Sequence, residues 1–155
     1  MKVTEFLAVW GAVVSTIAIL WNVYRDVTDR GKLRVVCYLG NMVTPGGSPD
    51  PNDYLVWRVA NAGLQPVVVT HVGGALAVKH FMITPHASLP KTLQPGEYFL
   101  EYTADLSALD HGLRFLAAWD SLNRTYKITR KNQKQVQAEY LKAKQAKSSS
   151  PQGAA

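Results

Sequence analysis

The chain has 155 residues, a formal net charge of +6 and 47% hydrophobic residues. Its one cysteine, Cys37, excludes an intrachain disulfide, so a folded domain must be held together by its core. Residues 31–129 carry eight cations and seven acids, whereas residues 130–155 carry six cations and one acid. A nearly neutral domain with a basic tail is not the charge pattern of a nucleic-acid-binding fold, and we do not expect nucleic acid as a partner.

The longest apolar run covers residues 6–24, which are 19 residues without a charged side chain. As a helix it would be about 28 Å long, which matches the hydrocarbon core of a bilayer. The aromatic residues at and near its ends, Phe6, Trp10, Trp21 and Tyr24, are expected to anchor it at the interfaces. The run predicts a single transmembrane helix, with the lipid bilayer as a partner.

Three other interpretations of this run stay open. A cleavable signal peptide would have a more basic start, a shorter run and a small-residue cleavage site, whereas this run ends in the bulky Trp21 and Tyr24. A buried helix of a soluble domain, or a helix lying in the membrane interface, would carry a polar face. Ser15 and Thr16 are too few to form one.

The charges that flank the run predict its orientation. Arg25, Arg30, Lys32 and Arg34 follow it closely, whereas Lys2 and the α-amine precede it. Because cations next to a membrane helix favour the cytoplasmic side, we expect an inner (plasma) membrane protein with its C-terminal domain in the cytoplasm.

Small residues recur on one face of the predicted helix, at Ala8, Gly11, Ser15 and Ala18. Such a face lets two membrane helices approach closely, so it predicts a homo-oligomer formed through the anchor. The alternative is that small residues are simply frequent in membrane helices.

Short apolar segments separated by turn residues follow the anchor. We expect strands at residues 33–39, 54–60, 66–72, 75–79, 80–84, 98–103, 113–119 and 125–129, with 75–84 counted as one bent strand in a total of about seven. Pro- and Gly-rich segments predict two long loops, at residues 40–52 and 85–95. Asp105 is expected to cap one helical turn at residues 106–109. This spacing predicts an all-β fold, an antiparallel immunoglobulin-like β-sandwich.

The composition changes again after the last strand. Residues 131–147 are rich in Ala, Gln and Lys and predict a short basic helix, and the chain from Ser148 onward is expected to be disordered. Lys131, Lys134, Lys142 and Lys144 are candidate contacts for anionic lipid or nucleic acid, the alternative being a solvated tail. The predicted organisation is an anchor (1–30), a β-sandwich domain (31–129) and a basic tail (130–155).

Three segments carry a resemblance to known proteins: residues 55–74 (LVWRVANAGLQPVVVTHVGG), 89–97 (LPKTLQPGE) and 118–128 (AWDSLNRTYKI). They resemble the strands, Asn-x-Gly turn, Pro-Gly turn and closing hairpin of immunoglobulin-like sandwiches in small bacterial single-pass membrane proteins of uncharacterised role. The resemblance implies the fold and carries no catalytic residue. The Cys…Trp…Cys pattern of disulfide-bonded immunoglobulin domains is absent, and Trp57 and Trp119 are expected in the core.

No catalytic or phosphate-binding motif occurs in the sequence, so we expect a non-enzyme without a cofactor or metal. Cys37 is expected to be a buried strand residue. His80 and His86 could share a metal with Asp110 or His111, the alternative being unrelated surface histidines.

The resulting hypothesis is a membrane-anchored protein-interaction module that uses the loops at residues 40–52 and 85–95. A membrane-acting effector, such as a small phage or defence-associated protein, is the second hypothesis, and a metal hydrolase is the third. The protein partner is not predicted by any motif.

Overall fold

The computed structural model describes residues 3–28, 30–43, 47, 49–83 and 89–149. Its first element is the helix α1 (Val3–Thr28). Within α1, the segment Phe6–Arg25 has a mean hydropathy of 1.9, and none of its residues is buried against the rest of the protein. The protein therefore has one N-terminal helix that is long and apolar enough to cross a membrane.

Most of the remaining described chain forms antiparallel β-structure. The strands are β1 (Leu33–Val43), β2 (Pro49–Asn61), β3 (Val67–Ala75), β4 (His80–Met82), β5 (Lys91–Leu93), β6 (Tyr98–Thr103), β7 (Phe115–Asp120) and β8 (Thr125–Lys127). One turn of helix, α2 (Ser107–Asp110), lies between β6 and β7, and a long helix, α3 (Arg130–Ser149), follows β8. The strands form two sheets with the orders β1-β2-β6 and β4-β3-β7-β8, and β5 pairs with the start of β3.

The two sheets share one hydrophobic core. In β1 the alternating residues Leu33, Val35 and Cys37 are buried, as expected for a strand with one face towards the core. They join buried residues of the second sheet such as Leu116 in a single cluster. Trp57 is fully buried, and its indole N–H donates a hydrogen bond of 3.3 Å to the carbonyl of Gly73 in the other sheet.

The segment that follows α1 is held against the β2–β3 turn. The N–H of Ala62 donates a hydrogen bond of 2.7 Å to the carbonyl of Lys32. Gly63 lies against the backbone of Arg30 and Lys32, where a Cβ atom would clash. The turns that lie beside this segment define what we call the anchor end of the domain: residues 62–66, 94–97 and 121–124. The opposite end, with α2 and the turn at residues 76–79, is called the far end.

The loop predicted at residues 40–52 is mostly strand. Asn41 pairs with Asp53, and Val43 with Pro49, so β1 and β2 extend well beyond their predicted ends. Proline is tolerated here because β6 pairs with β2 only from Leu55 onward, which leaves the start of β2 as an edge.

Two other boundaries also differ from the sequence predictions. Lys91–Leu93 forms β5 inside the predicted loop at residues 85–95, because it pairs with Val67–Val69. Residues 76–79 form a turn rather than a strand, closed by a hydrogen bond of 2.8 Å from the N–H of Leu76 to the carbonyl of Lys79. The described residues therefore hold eight strands rather than about seven.

The C-terminal helix lies against the domain. Val136 of α3 is only 1% exposed and belongs to the shared core. The helix continues to Ser149, so the predicted disorder is wrong for Ser148 and Ser149. Residues 150–155 lie outside the described residues.

One side chain of α3 pairs with the outer edge of β1. The N–H of Cys37 donates a hydrogen bond of 2.9 Å to Asn132 Oδ1, and Asn132 Nδ2 donates one of 2.7 Å to the carbonyl of Cys37. The amide thus satisfies the N–H and C=O that an edge strand leaves without a strand partner.

We expect Asn132→Ala to lower the free energy of unfolding by about 1–3 kcal/mol, because it leaves two backbone groups of Cys37 without partners. Urea unfolding of the full chain in detergent, followed by near-ultraviolet circular dichroism, measures the loss. Asn132→Asp keeps the acceptor but not the donor and should be intermediate. The neighbouring exposed Lys134→Ala is the control, and an Asn132→Ala variant as stable as this control would contradict the interpretation.

Candidate membrane anchor and interaction surfaces

The four predicted anchor residues all lie on the surface of α1. Phe6, Trp10, Trp21 and Tyr24 are between 59% and 64% exposed. The rings of Trp21 and Tyr24 lie 6.0 Å apart at the end of α1 nearest the domain. This placement is the one that an interfacial aromatic pair would have.

The small residues of α1 share one face but meet no other element. A Cβ atom on Gly11 would have no neighbour within 4 Å. The hydroxyl of Ser15 donates a hydrogen bond of 2.8 Å to the carbonyl of Gly11, so this polar group is satisfied within its own helix, as hydrocarbon surroundings require. Helix pairing through Ala8, Gly11, Ser15 and Ala18 stays a prediction.

The four candidate cations of the tail do not form one cluster. Lys131 and Lys144 are thirteen residues apart on α3, which separates them by about 20 Å along the helix axis. Lys134 and Lys142 are exposed between them. Lys144 forms a salt bridge of 2.8 Å with Asp110, so part of its charge is neutralised within the protein.

Asp110 joins α2 to α3 at the far end of the domain. Its carboxylate accepts a hydrogen bond of 2.8 Å from Lys144 and one of 2.7 Å from the hydroxyl of Tyr140. The hydrogen bond from Lys144, followed by that from Tyr140, lowers the pKa of Asp110 below its usual value. A second salt bridge of 2.7 Å, between Lys147 and Asp53, lies at the same end.

The lowered pKa of Asp110 predicts an acid-sensitive contact between α2 and α3. A group with a depressed pKa in the folded state stabilises that state above its unfolded pKa of about 4, and this contribution is lost as the pH falls through the folded pKa. We therefore expect Asp110→Asn to lower the melting temperature at about pH 6, and to lower it by less at about pH 3. Thermal unfolding at both pH values checks this, with the exposed Lys142→Gln as control. An equal effect of Asp110→Asn at both pH values would contradict it.

The outer face of the β1-β2-β6 sheet, which we call the Tyr98 face, is apolar and exposed. Its cross-strand rows are Arg34–Ala60–Tyr98, Val36–Arg58–Leu100 and Tyr38–Val56–Tyr102. Tyr98 is 55% exposed, Leu100 46% and Tyr38 38%. The guanidinium of Arg58 lies 4.7 Å from the centroid of the Tyr98 ring, which is cation–π geometry. A face of this kind differs from the polar outer face that a solvated antiparallel sheet usually has.

This face was not among the sites predicted from the sequence, although the sequence carries a signal for it. Residues 54–60 are apolar on both sides of the strand apart from Arg58, and residues 98–103 hold three aromatic rings. A strand that is apolar on both sides but lies in a sheet covered on one side only must expose one apolar face.

The described histidines are not grouped as metal ligands, although His71 and His80 line one cavity. His71 stacks on Trp119 with ring centroids 4.7 Å apart, and burial lowers the pKa of His71. His80 lies near Phe115, and His111 is exposed. His86 lies outside the described residues, among which no three His, Cys, Asp or Glu side chains are grouped as metal ligands.

Cys37 is a core residue of β1. It is fully buried, and burial raises the pKa of its thiol well above its usual range. A thiol that stays protonated and buried is a poor nucleophile.

Comparison of the chain with known protein families, curated proteins and solved structures gave no match.

Proposed function

We propose that this chain is a single-pass inner-membrane protein whose cytoplasmic domain, an immunoglobulin-like β-sandwich, binds a protein partner through the Tyr98 face. The observation that carries the proposal is the combination of one exposed apolar helix with an exposed aromatic sheet face. No motif points to catalysis, so the function is proposed to be binding.

The strand order supports the immunoglobulin-like assignment. In an immunoglobulin sandwich one sheet contains strands A, B and E, and the other contains C, F and G, with C′ added beside C in variable-type domains. The sheets here have β1-β2-β6 in place of A-B-E and β4-β3-β7-β8 in place of C′-C-F-G, whereas β5, at the chain position of strand D, pairs with β3 rather than β6. The buried Trp57 lies on the second strand rather than the third, so its place in the core differs from that of the immunoglobulin tryptophan.

The anchor assignment rests on the length and surroundings of α1. Its 26 residues correspond to about 39 Å of helix, enough for a hydrocarbon core and part of a headgroup layer. Large apolar side chains cover its surface, which would be unfavourable in water. The cations after the helix favour the cytoplasm for the domain.

Cysteine labelling in intact cells tests this topology. Val78 is 95% exposed on the far end, so Val78→Cys introduces an accessible thiol, whereas the buried Cys37 should stay silent. We expect a membrane-impermeant maleimide to label Val78→Cys only after lysis, because the domain lies in the cytoplasm. Val3→Cys, at the other end of α1, should be labelled before lysis. The reverse pattern would place the domain outside the cytoplasm.

The chemistry of the Tyr98 face indicates the kind of partner. Aromatic residues and arginine are the side chains that most often dominate the energy of protein interfaces. The nine residues of its three rows include Arg34 and Arg58 and no acid. A symmetric dimer through this face would bring four arginines and no acid from these rows into one interface, which like-charge repulsion disfavours. We therefore propose a different protein as the partner, with an apolar patch that carries a carboxylate.

Photocrosslinking tests the face in cells that natively express the protein. A benzophenone amino acid at position 100 should give one discrete adduct, because Leu100 lies in the middle row of the face. The same probe at Val78, which is 95% exposed and remote from the face, is the control.

Charge reversal decides whether the adduct reports this interface. Arg58→Glu should abolish the adduct at position 100. Arg114→Glu, directly before β7 of the second sheet, should leave it unchanged. An adduct of twice the mass of the chain would assign the face to a second copy and contradict a separate partner. Equal crosslinking at positions 100 and 78 would remove the face from consideration.

A further inference from the structure

A groove of about 550 Å³ runs along the start of β1, between the two sheets and the first turn of α3. It lies where the β1 edge is not covered by Asn132, which pairs with Cys37 further along the strand. Its lining comes from the linker before β1, from the start of β1, from β8 and from the N-terminal part of α3.

The lining is strongly positive. Four of its side chains are cations, namely Lys32, Arg34, Lys127 and Lys131, and none of the described residues that line the groove is acidic. Lys127 Nζ lies 4.2 Å from the centroid of the Phe115 ring, which does not line the groove, so this ammonium adds to the positive field from the rim. The four cations come from three separate elements and the linker, so the fold and not the local sequence assembles the cluster.

Backbone and helix dipoles add to this field. Cys37 directs its N–H to the outer edge of β1, towards Asn132, and Val35, two residues earlier in the strand, directs its N–H to the same side. Arg130 begins α3, whose N-terminus carries a partial positive charge next to the groove. The groove thus combines cations with a backbone donor, as phosphate sites do.

The groove lies close to the point where α1 ends. Lys32 follows Thr28 by four residues, so at most about 14 Å of chain separates them. The hydrogen bond from Ala62 to Lys32 and the contact of Gly63 with Arg30 fix this segment to the domain. Lysine and arginine side chains can extend from there towards a headgroup layer.

We propose that this groove binds the phosphate of an anionic phospholipid in the leaflet that α1 leaves, with Lys32, Arg34 and Lys131 as its ligands and Lys127 adding to the positive field. The inference rests on the proposed membrane anchoring by α1 and adds a site and a ligand class to it. Of the four tail lysines predicted as candidate lipid contacts, this proposal keeps only Lys131.

Native mass spectrometry of the full chain in detergent tests the site with equimolar phosphatidylglycerol and phosphatidylcholine. We expect about tenfold more bound phosphatidylglycerol than phosphatidylcholine, since each cation near anionic lipid contributes measurably to binding. A variant with Lys32→Gln, Arg34→Gln, Lys127→Gln and Lys131→Gln should lose this preference. The control variant, Lys79→Gln, Arg114→Gln, Lys134→Gln and Lys142→Gln, removes the same charge and should keep it.

Further arms separate the other outcomes. Near-ultraviolet circular dichroism shows whether the fourfold variant folds. If the fourfold variant does not fold, the smaller variant Lys32→Gln/Arg34→Gln takes its place and should reduce the preference for phosphatidylglycerol. Equal loss in both fourfold variants would show a general charge effect and overturn the site. Displacement of the lipid by millimolar glycerol 3-phosphate would assign the groove to a soluble phosphate ester and overturn the lipid assignment.

The anchor is tested separately from the groove. The full chain should float with vesicles of pure phosphatidylcholine and resist extraction by alkaline carbonate, because α1 needs no anionic lipid. Failure to float would overturn the proposed anchoring. Flotation without a preference for phosphatidylglycerol would overturn the groove alone.

Discussion

The outer edge of β1 decides how the C-terminal helix docks on the domain. An edge strand has backbone N–H and C=O groups with no strand to pair with, and a protein must cover them or leave them to water. Here the amide of Asn132 takes the place of a neighbouring strand at Cys37, and Val136 brings α3 into the core beside it. Since β1 follows α1 after a linker of four residues, the two ends of the described chain meet on one strand.

This arrangement gives the domain an electrical polarity along its length. Lys32, Arg34 and Lys131 lie towards the anchor end, where the chain leaves α1. The far end carries Asp53 and Asp110, which hold the last turns of α3 through Lys147 and Lys144. The acidic residues thus pair with tail cations that lie far from the anchor, whereas no acidic residue lines the groove described near it. Under the proposed topology the positive end faces the membrane surface, which is where anionic lipids attract it.

The sequence predicted those features that repeat locally and missed those that join distant segments. Strand β6 was placed to the residue, because its aromatic residues alternate between two turns, and the apolar run located α1. The strand β5 was missed because three residues are too few to show a periodicity. It is a strand because it pairs with Val67–Val69. The docking of α3 was missed because Val136 and Tyr140 form only a thin apolar stripe on a polar helix. Asn132, moreover, bonds to a strand residue 95 positions earlier. The groove likewise joins residues about 100 positions apart, which no local pattern can reveal.

The two proposed ligands meet at Arg34. This residue lies in the first row of the Tyr98 face and also lines the basic groove, because β1 is the strand that borders both. A guanidinium that holds a lipid phosphate in a bidentate pair has fewer donors left for a carboxylate of a protein partner. Arg58, one strand further from the groove, is free of this competition and stands over the Tyr98 ring in the centre of the face. Under both proposals lipid binding therefore reduces the contribution of Arg34 in the first row to the protein interface, and the partner's carboxylate pairs with Arg58.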